Sequence, residues 1–206
     1  MDETRRKILS VADRYFRRYG LKSVSMDDLA REIGISKKTL YQHVSSKEEL
    51  IREMMLFQTE QEMAIGEATF KSSENAVVEF IQLSSFAIDQ LKEVSPTTMY
   101  DLQKYYRPIW EETIQANMVE HRRGVMRNIE RGQAEGLFRP EADASFLAHL
   151  FSYCILGLCE GNVLPFDDKT VGKYLQQLAF YHLHGLITPA GARVLDNYMD
   201  QKQAEQ

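Results

Sequence analysis

The sequence predicts an all-α protein: a small three-helix N-terminal segment followed by a larger helical body. Three observations lead there. Apolar residues recur at three- and four-residue steps along the 206 residues, and no run alternates as a half-buried strand does. Capping residues and glycines punctuate that pattern at helical intervals. The composition, 44% hydrophobic and 27% charged, is that of an ordinary globular protein. The length suits one domain, or a small one and a larger one, with a real core.

The first helix carries Ile8, Ala12, Tyr15 and Tyr19 on one stripe, with Leu9 and Phe16 beside it, and ends at Gly20. Ser25 can cap a second, short helix with Asp27 and Asp28 in its first turn, where the helix dipole favours acid. That helix holds Leu29, Ala30 and Ile33 and stops at Gly34. Ser36 caps a third helix, Lys37 to His43, and Ser46-Lys-Glu-Glu49 fits a capping box opening a fourth. A break is expected between Gly66 and Ser73. A helix from about Asn75 to Val94 follows, then a short piece from Thr97 to Tyr106. Pro108 suits the first turn of a long helix reaching about Glu135. After a turn, Gly136 to Pro140, two apolar helices span roughly Asp143 to Gly161 and Lys169 to Gly185. The tail after Pro189 is expected to be a short helix that frays.

Several classes are excluded. Two cysteines, Cys154 and Cys159, make no disulfide framework, and five residues apart on a helix they point differently. The N-terminal basic residues precede no apolar stretch, so no secretory signal is expected. The longest apolar run, Phe146 to Cys159, is interrupted by His149 and Ser152 and falls short of the ~20 residues a bilayer needs. The expectation is a cytoplasmic protein with no membrane partner. His182 and His184 do not share a helix face, and His121 and His149 have no evident partners, so neither a metal nor a cofactor is expected. No Gly-rich phosphate loop, Ser-His-Asp order or paired carboxylates suggest catalysis. No catalytic residue is assigned, and the chain is read as a non-enzyme.

Charge is uneven. Residues 1–50 hold eleven Lys or Arg against eight Asp or Glu, while the remainder is acidic and the whole chain carries net charge -5. The window Ser36 to Lys47 has three lysines and no acid. A basic end on an acidic body suits an anionic partner at that end.

The second and third helices, joined at Gly34, form a helix-turn-helix pattern. At about 100° per residue, Lys37, Lys38, Tyr41 and Gln42 share one polar, basic face and Leu40 points elsewhere, into a core. Such a helix fits the major groove, about 12 Å wide. Lys37, Lys38 and Lys47 can neutralise phosphates; Thr39, Tyr41 and His43 can donate hydrogen bonds to them. Gln42 has the amide for bidentate reading of adenine. A solvated helix of an ordinary bundle would show the same pattern.

Residues 8–50 resemble the N-terminal domain of the TetR family of transcriptional regulators. The resemblance rests on Ile8, Leu9, Phe16, Gly20, Leu29, Ala30, Gly34, Ile35, Ser36, Thr39, Leu40, Tyr41, His43, Ser46, Lys47, Glu48 and Leu50, in order and without gaps. It implies a helix-turn-helix DNA-binding domain over 1–48 and a helical effector-binding and dimerisation domain over 49–206. It implies that Thr39, Tyr41 and Lys47 touch phosphates and that Lys37, Lys38 and Gln42 lie at the groove. Val24 stands where many members have Thr, and Ser25 can supply that contact. The partners implied are double-stranded operator DNA of near-palindromic sequence, a second copy of the chain, and a small-molecule effector that releases a repressor.

Beyond residue 50 the resemblance is weaker, resting on the turn Glu130 to Pro140. Phe146, Leu150, Tyr153, Gly157 and Gly161 on one late helix, and Leu175, Leu178, His182 and Leu186 on the next, form stripes placed where the family dimerises. Such stripes can equally be internal core. Phe86, Met99, Tyr100, Tyr105, Tyr106, Trp110 and Met118 fall where the family keeps its pocket and would suit an apolar or aromatic effector; they too can be plain core. A rival reading is a helical small-molecule carrier or enzyme whose helix-turn-helix no longer reads DNA.

Overall fold

The computed structural model describes residues 2–160 and 168–204. Among them ten α-helices follow one another: α1 (Glu3–Tyr19), α2 (Met26–Ile33), α3 (Lys37–His43), α4 (Lys47–Ser72), α5 (Ala76–Lys92), α6 (Pro96–Tyr105), α7 (Arg107–Ala134), α8 (Ala144–Cys159), α9 (Asp168–Leu186) and α10 (Pro189–Ala204). One isolated bridge pairs Phe138 with Ile187. The chain divides into two compact units, Met1–Met63 with Lys92–Asn117, and Ala64–Leu91 with Met118–Gln206.

The first unit is centred on Ile8, Ala12, Phe16, Leu29, Leu40, Leu50 and Ile51, all 0% exposed. Leu102, Ile109 and Trp110, from α6 and α7, belong to the same cluster. Polar contacts fasten α6 to the end of α1. Ser95 N donates to Arg17 O at 2.9 Å, the Thr98 hydroxyl to Phe16 O at 2.5 Å, and Lys22 N to Asp101 Oδ2 at 2.8 Å. Gly20 lies in that seam at φ +87°, and a Cβ there would come 2.9 Å from Thr97 Cγ2. The unit is therefore larger than three helices and discontinuous in sequence.

In the second unit Phe80, Ile129, Phe138, Phe151, Leu183 and Leu186 form the core. The turn after α7 is built by close approach: a Cβ on Gly132 would overlap the Phe138 ring, and one on Gly191 would meet Leu137 O at 2.3 Å. Arg139 N donates to Leu186 O and Thr188 N to Leu137 O, which makes the bridge.

Two element expectations are corrected. No break occurs at Gly66; α4 runs through it to Ser72. One glycine costs a helix about 1 kcal/mol, which a long helix tolerates. The helix stops where its last carbonyls find other donors: Arg131 Nη1 donates to Phe70 O at 3.1 Å and Nη2 to Ser73 O at 2.8 Å. The Asn75 side chain then accepts from Val78 N at 3.0 Å to open α5. The C-terminal tail is no frayed turn but sixteen helical residues. Thr188 Oγ1 accepts from Gly191 N at 3.2 Å at its start, and Ala192, Val194 and Leu195 pack on the second core. No described helix is long and apolar enough to cross a membrane.

Candidate nucleic-acid interface

The helix-turn-helix is assembled by local rules. Ser25 caps α2 with a reciprocal box: Asp28 N donates to Ser25 Oγ at 3.2 Å, and Ser25 N to Asp28 Oδ2 at 2.9 Å. α2 ends at Gly34, whose φ of +82° and ψ of +31° lie in the left-handed region that only glycine enters cheaply. Its N–H still reaches Ala30 O at 3.1 Å. The chain turns and Ser36 caps α3, accepting from Thr39 N at 3.0 Å. Leu40, 0% exposed, is the one side chain of α3 that is fully buried. Anchored there, the helix leaves Lys37, Lys38, Tyr41 and Gln42 exposed on its other side. The helical arithmetic places the same four together.

The other candidates flank this face. Thr39 is half-buried, its hydroxyl 2.8 Å from Ser36 Oγ, and His43 is half-buried at the end of α3. Ser25 is exposed beside the start of α2. Lys47 lies at the first turn of α4, its Nζ donating to Val24 O at 2.5 Å and 5.7 Å from the Phe16 ring. Burial lowers its pKa, opposed by the charges of Asp101 and Asp28. The expected capping box at Ser46 is displaced: Ser46 Oγ accepts from Glu49 N, but the Glu49 carboxylate turns to the backbone and hydroxyl of Ser45.

Many of the cations that make this end basic are engaged. Lys37 Nζ meets Asp27 Oδ2 at 2.9 Å, an exposed pair that solvent screens and a phosphate can displace. That hydrogen bond raises the Lys37 pKa. Arg14 pairs with Glu32 and Arg17 with Asp13. Arg5 pairs with Glu53 and donates to His43 O at 2.9 Å, and Lys7 donates to Ile33 O at 3.0 Å. Arg5 and Lys7 thus close the C-terminal carbonyls of α3 and α2, a scaffold role the sequence analysis missed. Nothing local signals it, because the partners lie 38 and 26 residues away.

The remaining expected residues separate. Of the pocket candidates, Trp110 is buried in the core of the first unit, and Met99 and Tyr106 pack against it. Tyr100 and Tyr105 are exposed beside Lys104 and Lys22, while Phe86 and Met118 are half-buried in the second unit. On α8, Phe146, Leu150 and Tyr153 are exposed, Tyr153 at 62%, and Gly157 is half-buried. Gly161 lies outside the described residues. On α9, Leu175 and Leu178 are half-buried, and His182 and Leu186 face the unit's own core, Leu186 at 1% exposure. The apolar side chains α9 leaves in solvent are Phe180 and Tyr181, the latter 78% exposed. On α9 the regular stripe lies on the core side, and these two aromatics lie outside it.

A capped two-helix unit with a left-handed glycine turn, a basic and amide-bearing second helix and a helical body define a helix-turn-helix protein. Residues 8–54 match the family of bacterial regulatory proteins named for tetR. An uncharacterized HTH-type transcriptional regulator, YfiR of Bacillus subtilis, is 25% identical over 178 residues, 82% of this chain and 83% of its own length. In fold, a transcriptional regulator from Cytophaga hutchinsonii is similar with a TM-score of 0.75 at 18% identity, covering 91% of this chain and 100% of the other. A TetR-family regulator from Agrobacterium tumefaciens gives 0.68 at 16%, covering 90% and 98%. The family match covers residues 8–54, and over most of its length the chain is similar in fold to solved regulators, among them one of the TetR family.

Proposed function

We propose that the chain is a dimeric repressor that reads a near-palindromic operator through α3 and is released by a small-molecule effector bound in its helical body. The observation that carries the reading is the exposed face of α3, Lys37, Lys38, Tyr41 and Gln42, held outward by buried Leu40 between the Gly34 turn and the Ser36 cap. In this reading residues 1–48 touch DNA. Lys38 and Lys47 take phosphates, Lys37 exchanges Asp27 for one, Ser25, Thr39, Tyr41 and His43 donate to the backbone, and Gln42 reads a base. The body, 49–206, holds the effector and the dimer contact. Of the aromatic and methionine residues expected near the effector, Phe86 and Met118 lie in the second unit.

Dimerisation uses the solvent side of α8 and α9, with Phe146, Leu150 and Tyr153 joined by Phe180 and Tyr181. Two copies of α3 would then stand about 34–36 Å apart to meet successive major grooves. Effector and DNA compete because each favours a different arrangement of the dimer; a ligand with equal affinity for both would release nothing. α4 carries the shift, since its residues belong to both compact units.

The test replaces Lys37 and Lys38 together by Ala and measures binding to duplex DNA at several salt concentrations. The reading expects weaker binding to every duplex and a flatter salt dependence by about two phosphates. Unchanged binding would instead support the carrier or enzyme reading.

A further inference from the structure

The core of the second unit contains polar groups that packing does not use. Asn128 on α7 is 3% exposed, and its Nδ2 donates to Ala76 O at 3.0 Å, which fixes the direction of the amide. Its Oδ1 is buried with no hydrogen-bond partner in the protein. His182 on α9 is 9% exposed, and its Nε2 is likewise buried and unpartnered. An unmet group in a core costs about 1–3 kcal/mol, so two in one small core call for a cause.

The two belong to one neighbourhood. Ala76, which takes the Asn128 amide, lies one helical turn from Phe80, whose ring is 5.4 Å from that of His182. Phe151 stacks on His182 at 4.2 Å, and His121 stacks on Phe151 at 5.9 Å. His121 Nδ1 is 2.7 Å from Ser152 Oγ, itself 1% exposed. Between His121 and Asn128 on α7 lies Gly124, and a Cβ built there would meet nothing within 4 Å. Aromatic rings and two unmet polar atoms are therefore contributed to this one unit by α5, α7, α8 and α9.

The site carries no net charge near neutral pH. Burial pushes both imidazoles down to about 4, the His121 charge adding to the effect at His182. The buried acid of this unit, Glu79, is held by Arg131, and Arg127 is turned to Glu67 and Phe70, though its Nε is buried without a partner. A ligand ion would have to shed its water without a counter-charge. Asn128 Oδ1 can only accept, so the ligand must donate. A hydroxyl suits either atom, donating to Asn128 Oδ1 or pairing with either tautomer of His182.

We propose that this cluster, Asn128 and His182 with the rings of Phe80 and Phe151, is the polar end of a binding site for an uncharged, aromatic or largely apolar molecule bearing a hydroxyl or amide N–H. The proposal rests on reading the second unit as the effector-binding body and moves the polar anchor of that site to α7 and α9. Its test uses no DNA, so its failure leaves the reading of α3 untouched.

The full chain, with histidine labelled by nitrogen-15, is titrated with 4-ethylphenol, ethylbenzene and 4-ethylbenzoate, three probes of one shape differing in donor and charge. The phenol is expected to bind at least tenfold tighter than either of the others and to move the imidazole nitrogen signals of His182. In Asn128→Leu and His182→Phe that preference should disappear while the thermal midpoint equals or exceeds that of the parent, because each variant removes an unmet polar atom. The proposal is overturned if none of the three probes binds, if ethylbenzene binds as well as the phenol, if the benzoate binds best, or if both variants keep the preference. Should both variants fail to fold, the parent protein decides: His182 signals that move with the phenol and not with ethylbenzene support the site, and signals that stay still overturn it.

Discussion

At Gln42 the side chain is exposed on the same face as Lys38, yet the proposed function gives the two different work. An amide can match the two-atom edge of adenine, whereas an ammonium matches any phosphate. Gln42→Ala should therefore relax specificity at one base position by about 1–3 kcal/mol, read by comparing single-base operator variants. Equal weakening on every sequence would argue against base reading. Lys38→Ala should weaken all sequences alike and lower the salt slope by about one. This face was legible in the sequence because a seven-residue helix with one anchor, Leu40, has only one way to turn. Arg5 and Lys7 were not legible. They look like phosphate ligands by type, and only the folded chain brings them to the carbonyls of His43 and Ile33.

Among the elements, α4 and α9 depart most from what their sequences suggest, for opposite reasons. Gly66 signals a break in α4 that the fold overrides, because the true stop is set by Arg131 reaching the carbonyls of Phe70 and Ser73. Arg131 also meets Glu79 at 2.9 Å, with the Glu79 side chain 1% exposed. Arg131→Met should cost about 3–5 kcal/mol in urea unfolding, since it strands a buried carboxylate. Arg131→Met with Glu79→Leu should recover much of that loss, and a double variant no better than the single would deny the pairing. On α9 the apolar spacing is faithful but points inward. Tyr181→Glu should convert the proposed dimer to monomer in sedimentation while leaving the unfolding midpoint of the monomer nearly unchanged. A variant that stays dimeric would move the interface elsewhere.

For the whole molecule, the sequence pattern shows helices and a reading head but not the division into units. Trp110 and Leu102 join the core built by α1 to α4, across some fifty residues of chain, and no local pattern records so distant a partner. The unmet atoms of Asn128 and His182 were equally invisible, being defined by what fails to lie near them. Burial also sets an acid limit on stability. The imidazoles of His121 and His182 titrate near 4 in the folded chain and near 6.5 when unfolded, so the unfolded chain takes up protons first. Stability from these groups is full above about pH 6.5, falls as pH drops, and is lost by about 4, at up to roughly 3 kcal/mol for each. Denaturant midpoints between pH 7 and 4.5 should fall in the parent and fall less in His182→Phe; equal slopes would contradict it. In the proposed function α3 reads sequence as one half of a symmetric pair. The most direct measurement is selection of the purified protein on a random duplex pool at physiological salt, followed by sequencing, and repeated after unfolding and refolding to strip any bound ligand. The expected outcome is an enriched near-palindrome whose half-site centres lie about one helical turn, or a multiple of it, apart. Salt-sensitive binding to every duplex with no enrichment, before and after refolding, would contradict it.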